Sequence, residues 1–180
     1  MRTHTSHFEL YPLALQHYVA GRMLALQLQT HVAGNILHHA VELFLKAELS
    51  PTATIDELKN KYRHNLKKIW VAYKALHSDV PDDFASTIAD LDAFEEIRYP
   101  SAEKESIGHR YALFKELAAL HLMPQSTYSL VLESIDELIA FTISKSRMQQ
   151  FYFSSVKQLP PFSLHVLFNN NRHHPPLDGA

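Results

Sequence analysis

Apolar side chains return every three or four residues along most of this chain, the spacing that lines one face of an α-helix. Ala33, Ile36, Leu37, Ala40, Val41, Phe44, Leu45 and Ala47 mark such a face and predict a helix from about His31 to Leu49. Before it, Leu13, Tyr18, Leu24, Leu26 and Leu28 give a less regular stripe over Pro12 to Gln29. Pro12 suits a first turn, where its missing N–H is not needed. Ala14, Ala20, Gly21 and Ala25 are small enough for another helix to come close. Gly21 inside a helix costs about 1 kcal/mol against alanine, so close packing is the expected compensation. Leu66, Ile69, Trp70, Tyr73 and Leu76 predict a third helix over Arg63 to His77. Phe84, Ile88, Leu91, Phe94 and Ile97 predict a fourth over Asp82 to Arg98. Ser50-Pro51 and Tyr99-Pro100 end the second and fourth, because proline disfavours helical backbone in the residue before it. Thr54, followed three residues later by Glu57, reads as a capping box that opens a short helix from Ile55 to about Lys61. Tyr111 to Leu122 is expected to be helical, with Pro124 as its stop. Ser126 then caps a last long helix, Thr127 to about Gln149, whose inner face is Leu130, Ile135, Leu138, Ile139 and Thr142.

The pattern changes after Phe151. Pro160, Pro161, Pro175 and Pro176 exclude one continuous helix. Phe162, Leu164, Val166 and Phe168 alternate with Ser163, His165 and Leu167, a period of two that predicts a short strand or an extended apolar arm. Disorder is expected from Asn169 onward. The expected architecture is all-α: an up-and-down bundle of about five main helices plus a short extra one in residues 1–150, with an extended or partly disordered tail over 151–180.

Composition narrows the chemistry. A length of 180 residues suits one domain. With no cysteine, a disulfide framework, a thiolate zinc site and a cysteine nucleophile are all excluded. The net charge of -2 gives no overall basic surface, so contact with nucleic acid would need a local patch. Thirteen histidines would make the chain basic below neutral pH. MRTHTSHFELYP lacks a charged-then-apolar signal pattern, and Glu42, Lys46 and Glu48 interrupt the apolar stretch from Ile36 to Leu49. A cytoplasmic protein with no membrane partner is therefore expected.

The glycines, Gly21, Gly34, Gly108 and Gly179, are isolated, which excludes a P-loop and a dinucleotide fingerprint. Glu95-Glu96 are neighbours in sequence and point apart on a helix, a poor acid–base pair. The strongest basic cluster is Lys59, Lys61, Arg63, His64, Lys67 and Lys68, around the start of the third helix, where backbone N–H groups also attract anions. Lys61, Arg63, His64, Lys67 and Lys68, together with Arg98, are the candidates for holding a nucleotide or RNA phosphate; the competing account is a solvated charged face. Arg98 also suits a helix C-terminus, where a cation meets the negative end of the dipole. Tyr62 is a candidate to stack a base, and Trp70 is assigned to the core. His38 and Glu42 lie four apart on one helix face and are the candidates for a metal, which would need a third ligand from His17, His31 or His64. The plainer account is a histidine–glutamate hydrogen bond in a half-buried helix, and no resident metal or cofactor is expected. His173-His174 is a loose metal candidate in a flexible end.

Three stretches carry a family resemblance: His38-His39-Ala40-Val41-Glu42-Leu43-Phe44-Leu45-Lys46-Ala47-Glu48-Leu49, Tyr62-Arg63-His64-Asn65-Leu66-Lys67-Lys68-Ile69-Trp70, and Ile97-Arg98-Tyr99-Pro100. Their order and spacing resemble HEPN, the higher-eukaryote-and-prokaryote nucleotide-binding helical bundles, over about Leu13 to Gln149. Asn65 stands where that family more often has aspartate. The resemblance implies a bundle that commonly pairs as a dimer. It also implies a role among RNase toxins, their inactive relatives, or partners of nucleotidyltransferases. The RNase members carry an arginine and a histidine separated by four to six residues on a late helix. Here Arg98 and His109 are separated by ten residues, as are Arg110 and His121, and Arg22 and His31 by eight. Only Arg2 and His7 are separated by four, in a terminus expected to fray. The leading reading is thus a non-catalytic HEPN-like module that binds nucleotide, RNA or a protein partner as a homodimer. The small faces of the first two helices and the apolar tail are its candidate dimer surface. The alternatives are a divergent RNase or nucleotide-processing enzyme using Arg98 and His109, and a metal-binding bundle centred on His38 and Glu42.

Overall fold

Helices α1 (Leu10–Leu26) and α2 (Thr30–Leu49) form the central antiparallel pair of the chain. The computed structural model describes residues 9–77, 79–95, 108–119, 128–147 and 149–174. Tyr11 donates to Glu48 at one end of the pair, and Gly21 meets Leu37 towards the other. A Cβ on Gly21 would stand 2.6 Å from Leu37 Cγ, and one on Gly34 would stand 2.1 Å from Phe94 Cδ1. Both contacts are too short for any side chain, which explains glycine within these helices. Ala14, Gly21, Ala25, Ala33 and Gly34 are buried inside the chain. The small faces expected to serve a dimer are therefore used for intramolecular packing. The stripe on α1 also differs from expectation: Leu13 and Leu28 are exposed, while Tyr11 and Leu15 are buried in the core.

The capping box forms as its sequence predicts. The Thr54 hydroxyl accepts from Glu57 N at 3.2 Å, and Glu57 Oε2 accepts from Thr54 N at 2.7 Å. The short α3 (Ile55–Glu57) widens into a π-helical turn, Leu58–Tyr62. Then α4 (Leu66–Leu76) and α5 (Phe84–Phe94) pack on α2 and on each other. Leu66, Ile69, Trp70 and Tyr73 of α4 and Phe84, Ile88, Leu91 and Phe94 of α5 are buried. Trp70 stacks on Tyr73, with ring centroids 5.4 Å apart, so it belongs to the core as expected.

The chain departs from all-helical after residue 108. β1 (His109–Ala112) and β2 (Tyr128–Val131) pair in parallel, His109 opposite Tyr128 and Ala112 opposite Val131. The helix expected over Tyr111 to Leu122 is thereby reduced, among the described residues, to α6 (Lys115–Ala119). The last long helix, α7 (Leu132–Lys145), starts later than Thr127 because residues 128–131 are committed to the ladder. Scarce glycine argues against hairpins, but a parallel pair is joined by a crossover and needs none. Ser126 lies outside the described residues. The described chain is otherwise helical, an all-α bundle carrying one small sheet.

The extended tail expected over 151–180 is corrected over 151–168, while residues 175–180 lie outside the described residues. Residues 149–168 form α8 (Gln149–Lys157) and α9 (Pro161–Phe168), both packed on α1. Pro160-Pro161 starts α9, since proline suits a first helical turn. Burial then follows helical rather than alternating spacing: Val166 and Leu167 are buried, while Phe162 and Phe168 are exposed. Arg22 of α1 ties this segment down. Its side chain is fully buried and forms an ion pair with Asp136 of α7. Arg22 Nε donates to Val166 O at 3.2 Å, and Nη2 donates to Asn169 O at 2.6 Å. Tyr18 Oη donates to the other Asp136 oxygen at 2.6 Å and accepts from Asn171 Nδ2 at 3.0 Å. Among the described residues, no helix is long and apolar enough to cross a membrane.

Candidate functional site

Polar residues of the first two resemblance motifs meet where the middle of α2 faces the loop into α4. Glu42 is 3% exposed, and its carboxylate gathers donors from both elements. Oε1 accepts from Lys46 Nζ, one helical turn on, at 2.5 Å. Oε2 accepts from His39 Nδ1 at 3.3 Å and from His64 Nδ1 at 3.1 Å. Burial alone would raise the Glu42 pKa, but the bonds from His39 and Lys46, the Lys46 charge and the His64 bond together hold it at about 2. Lys46 Nζ also donates to Arg63 O at 2.6 Å. Arg63 sits at φ 49°, ψ -124°, a region that costs a non-glycine residue about 1–3 kcal/mol. The buried ammonium fixes that carbonyl and so sets the loop that aims His64 at Glu42.

His38 lies below this group and is fully buried. Its Nδ1 bonds to Leu91 O of α5 at 3.0 Å. A carbonyl only accepts, so Nδ1 carries the hydrogen and Nε2 keeps its lone pair. Nε2 has no hydrogen-bond partner and stands 3.7 Å from Glu42 Oε2. Burial lowers the His38 pKa, and the Leu91 carbonyl and nearby carboxylates only partly offset this. The plain expectation of a histidine–glutamate hydrogen bond is met, but through His39 and His64 rather than His38.

The start of α4 differs from expectation in one respect that matters for anions. Asn65 Oδ1 accepts from Lys68 N at 2.8 Å, and Asp92 Oδ1 of α5 accepts from Leu66 N at 2.8 Å. These backbone donors are thus filled by the chain itself. Asp92 Oδ2 also lies 3.3 Å from Lys67 Nζ. With Leu66 N and Lys68 N taken, side chains are the main groups here that could hold a phosphate. Lys61, Lys67 and Lys68 line one open groove of about 610 Å³ with Tyr62, Val71, Ala72 and Ala75. Lys61 Nζ stands 5.0 Å from the Tyr62 ring centroid, a cation over an aromatic face. Val71, 65% exposed, offers apolar surface beside these ammonium groups.

The predicted phosphate set is thus divided. Lys61, Lys67 and Lys68 converge, His64 turns inward to Glu42, and Arg63 is exposed beside them. Arg98 and the side chain of His109 lie outside the described residues. No protein-family model, curated protein or solved structure matches the chain. Sequence reading missed Asp92, whose role depends on how α5 docks. It also gave Lys46 no role, although a glutamate and a lysine four apart on a helix signal a pair.

Proposed function

We propose that this chain is a non-catalytic HEPN-like helical module that binds the phosphates of a nucleotide or RNA along the groove beside α4 and works as a dimer. The observation that supports this most is the shared lining of one groove by Lys61, Lys67 and Lys68 and by the apolar faces of Tyr62, Val71, Ala72 and Ala75. Ammonium groups meet phosphate as point charges, and an apolar or aromatic floor accepts a base or ribose. The groove volume lies within the roughly 300–1,000 Å³ of small-ligand sites, and its open form suits a strand that passes through. A larger-scale contrast favours the same face. The groove of about 580 Å³ between α1 and the α8–α9 segment is lined by Leu15, Val19, Met23, Leu159 and Phe162 and carries no cation. Asp92 shares Lys67, so Lys61 and Lys68 are the groups that meet phosphate first.

The reading is tested by fluorescence anisotropy with a labelled single-stranded RNA and with a labelled ATP analogue. Binding is expected at about 50 mM salt and should weaken steeply by about 200 mM, as counterion release requires. Substituting Lys61, Lys67 and Lys68 together by alanine should abolish it. Equal binding by the triple variant, or none by the native chain at low salt, overturns the proposal. Light scattering reads the dimer separately, and a strict monomer at micromolar concentration removes that part.

A further inference from the structure

We infer that His39, Glu42 and His64 form a site for a divalent transition-metal ion of the zinc type, independent of the lysine groove. Their ligand atoms, two imidazole nitrogens and one carboxylate oxygen, all lie within 4.8 Å of one another. The closest spacings carry the argument. His39 Nδ1 and His64 Nδ1 stand 3.3 and 3.1 Å from the same oxygen, Glu42 Oε2. Two atoms each about 2.0–2.1 Å from a tetrahedral zinc are about 3.3–3.4 Å apart. Each nitrogen thus stands from Oε2 at about the separation that two ligands of one such ion take.

A second observation points the same way. His38 Nε2 is fully buried, bears a lone pair because Nδ1–H is spent on Leu91 O, and faces Glu42 Oε2 from 3.7 Å without a hydrogen-bond partner. A lone pair aimed at a carboxylate is unfavourable unless positive charge lies close by. The Lys46 ammonium on Oε1 supplies part of that charge, and an ion between Glu42, His39 and His64 would supply it on the Oε2 side.

The remaining contacts fit a ligand role. Lys46 occupies Glu42 Oε1 and leaves Oε2 for coordination. The loop carrying His64 is pinned through Arg63 O. His39 and His64 have side chains 27% and 52% exposed, so an ion enters from the solvent side and a water completes the fourth position. Binding through Nδ1 moves the hydrogen of each neutral ring to Nε2, so the tautomer changes and Oε2 exchanges two hydrogen bonds for the ion.

The test uses the full chain without a histidine tag, stripped with chelator. It is titrated with zinc by calorimetry and with cobalt(II) by visible absorption. One zinc per chain and the intense spectrum of tetrahedral cobalt are expected. His39→Asn and His64→Asn should each weaken binding by at least about tenfold, as loss of a ligand exceeds loss of its outer partners. Both are partly exposed, and a thermal melt in chelator verifies that the variants fold. A His173→Asn, His174→Asn variant, which removes the tail pair, should bind as the native chain does. No zinc binding by the native chain, or unchanged affinity in both ligand variants, overturns the inference.

Discussion

Replacing Arg22 by leucine removes a guanidinium that holds α1, α7 and the segment after α9 together. The side chain is fully buried, as is its partner Asp136. After the substitution Asp136 keeps only the Tyr18 hydroxyl, 2.6 Å away. The carbonyls of Val166 and Asn169 lose donors at 3.2 and 2.6 Å. Removing one member of a buried ion pair costs about 3–5 kcal/mol, because the other charge stays buried and uncompensated. The carbonyl losses add less, since Asn169 is only half-buried and can meet water. A total on the order of 4 kcal/mol is a large part of the roughly 5–15 kcal/mol that holds a domain together. With a urea dependence of about 2 kcal/mol per molar, the midpoint should fall by about 2 M. The assay is urea unfolding followed by far-ultraviolet dichroism at fixed pH, with limited proteolysis reporting on α9. Changing Arg22 and Asp136 together to leucine should recover part of the loss, since a buried pair can often be exchanged for apolar residues at little cost. A midpoint shift below about 0.5 M for Arg22→Leu, or strict additivity in the double variant, would refute the reasoning.

Gly34→Ala gains about 1 kcal/mol of helix propensity, but the new methyl falls 2.1 Å from the Phe94 ring. Overpacking of about 1–3 kcal/mol should outweigh the gain, so the urea midpoint is expected to drop, and a rise would contradict the close packing described. Burial raises the pKa values of Tyr11, Tyr18, Tyr73 and Tyr152 above the ordinary 10.0. Above that pH the unfolded chain releases protons that the folded chain retains, so stability should fall as pH rises through 10. These four of the eight tyrosines should ionise only as the protein unfolds, and tyrosinate absorbance equivalent to more than the other four before the loss of dichroism would count against their burial.

Helices α1, α2, α4 and α5 were legible because each repeats its apolar residues over several turns, and periodicity alone then selects one face. The capping box was legible because Thr54 and Glu57 act within one turn. α9 was not. Its eight residues, Pro161–Phe168, are apolar on nearly every side and satisfy a period of two as well as one of 3.6. Tertiary contact decides between them: Arg22 takes the Val166 carbonyl, and Leu164 and Leu167 face the core. The strands were hidden because His109–Ala112 pairs only with a segment far along the chain. At the site, spacing along α2 pointed to a histidine–glutamate bond but favoured His38 where the structure has His39, and it passed over Lys46. The inward turn of His64 and the capping of α4 by Asp92 depend on helix docking, which no local pattern encodes.

The role assigned to the lysine groove is tested most directly by the backbone amide spectrum of isotope-labelled protein during titration with single-stranded RNA. The account predicts saturable shifts confined to the π-helical turn and the exposed face of α4, from Lys61 to Ala75. Shifts centred instead on the apolar groove between α1 and Phe162, or a spectrum unchanged at saturating RNA and low salt, would contradict it.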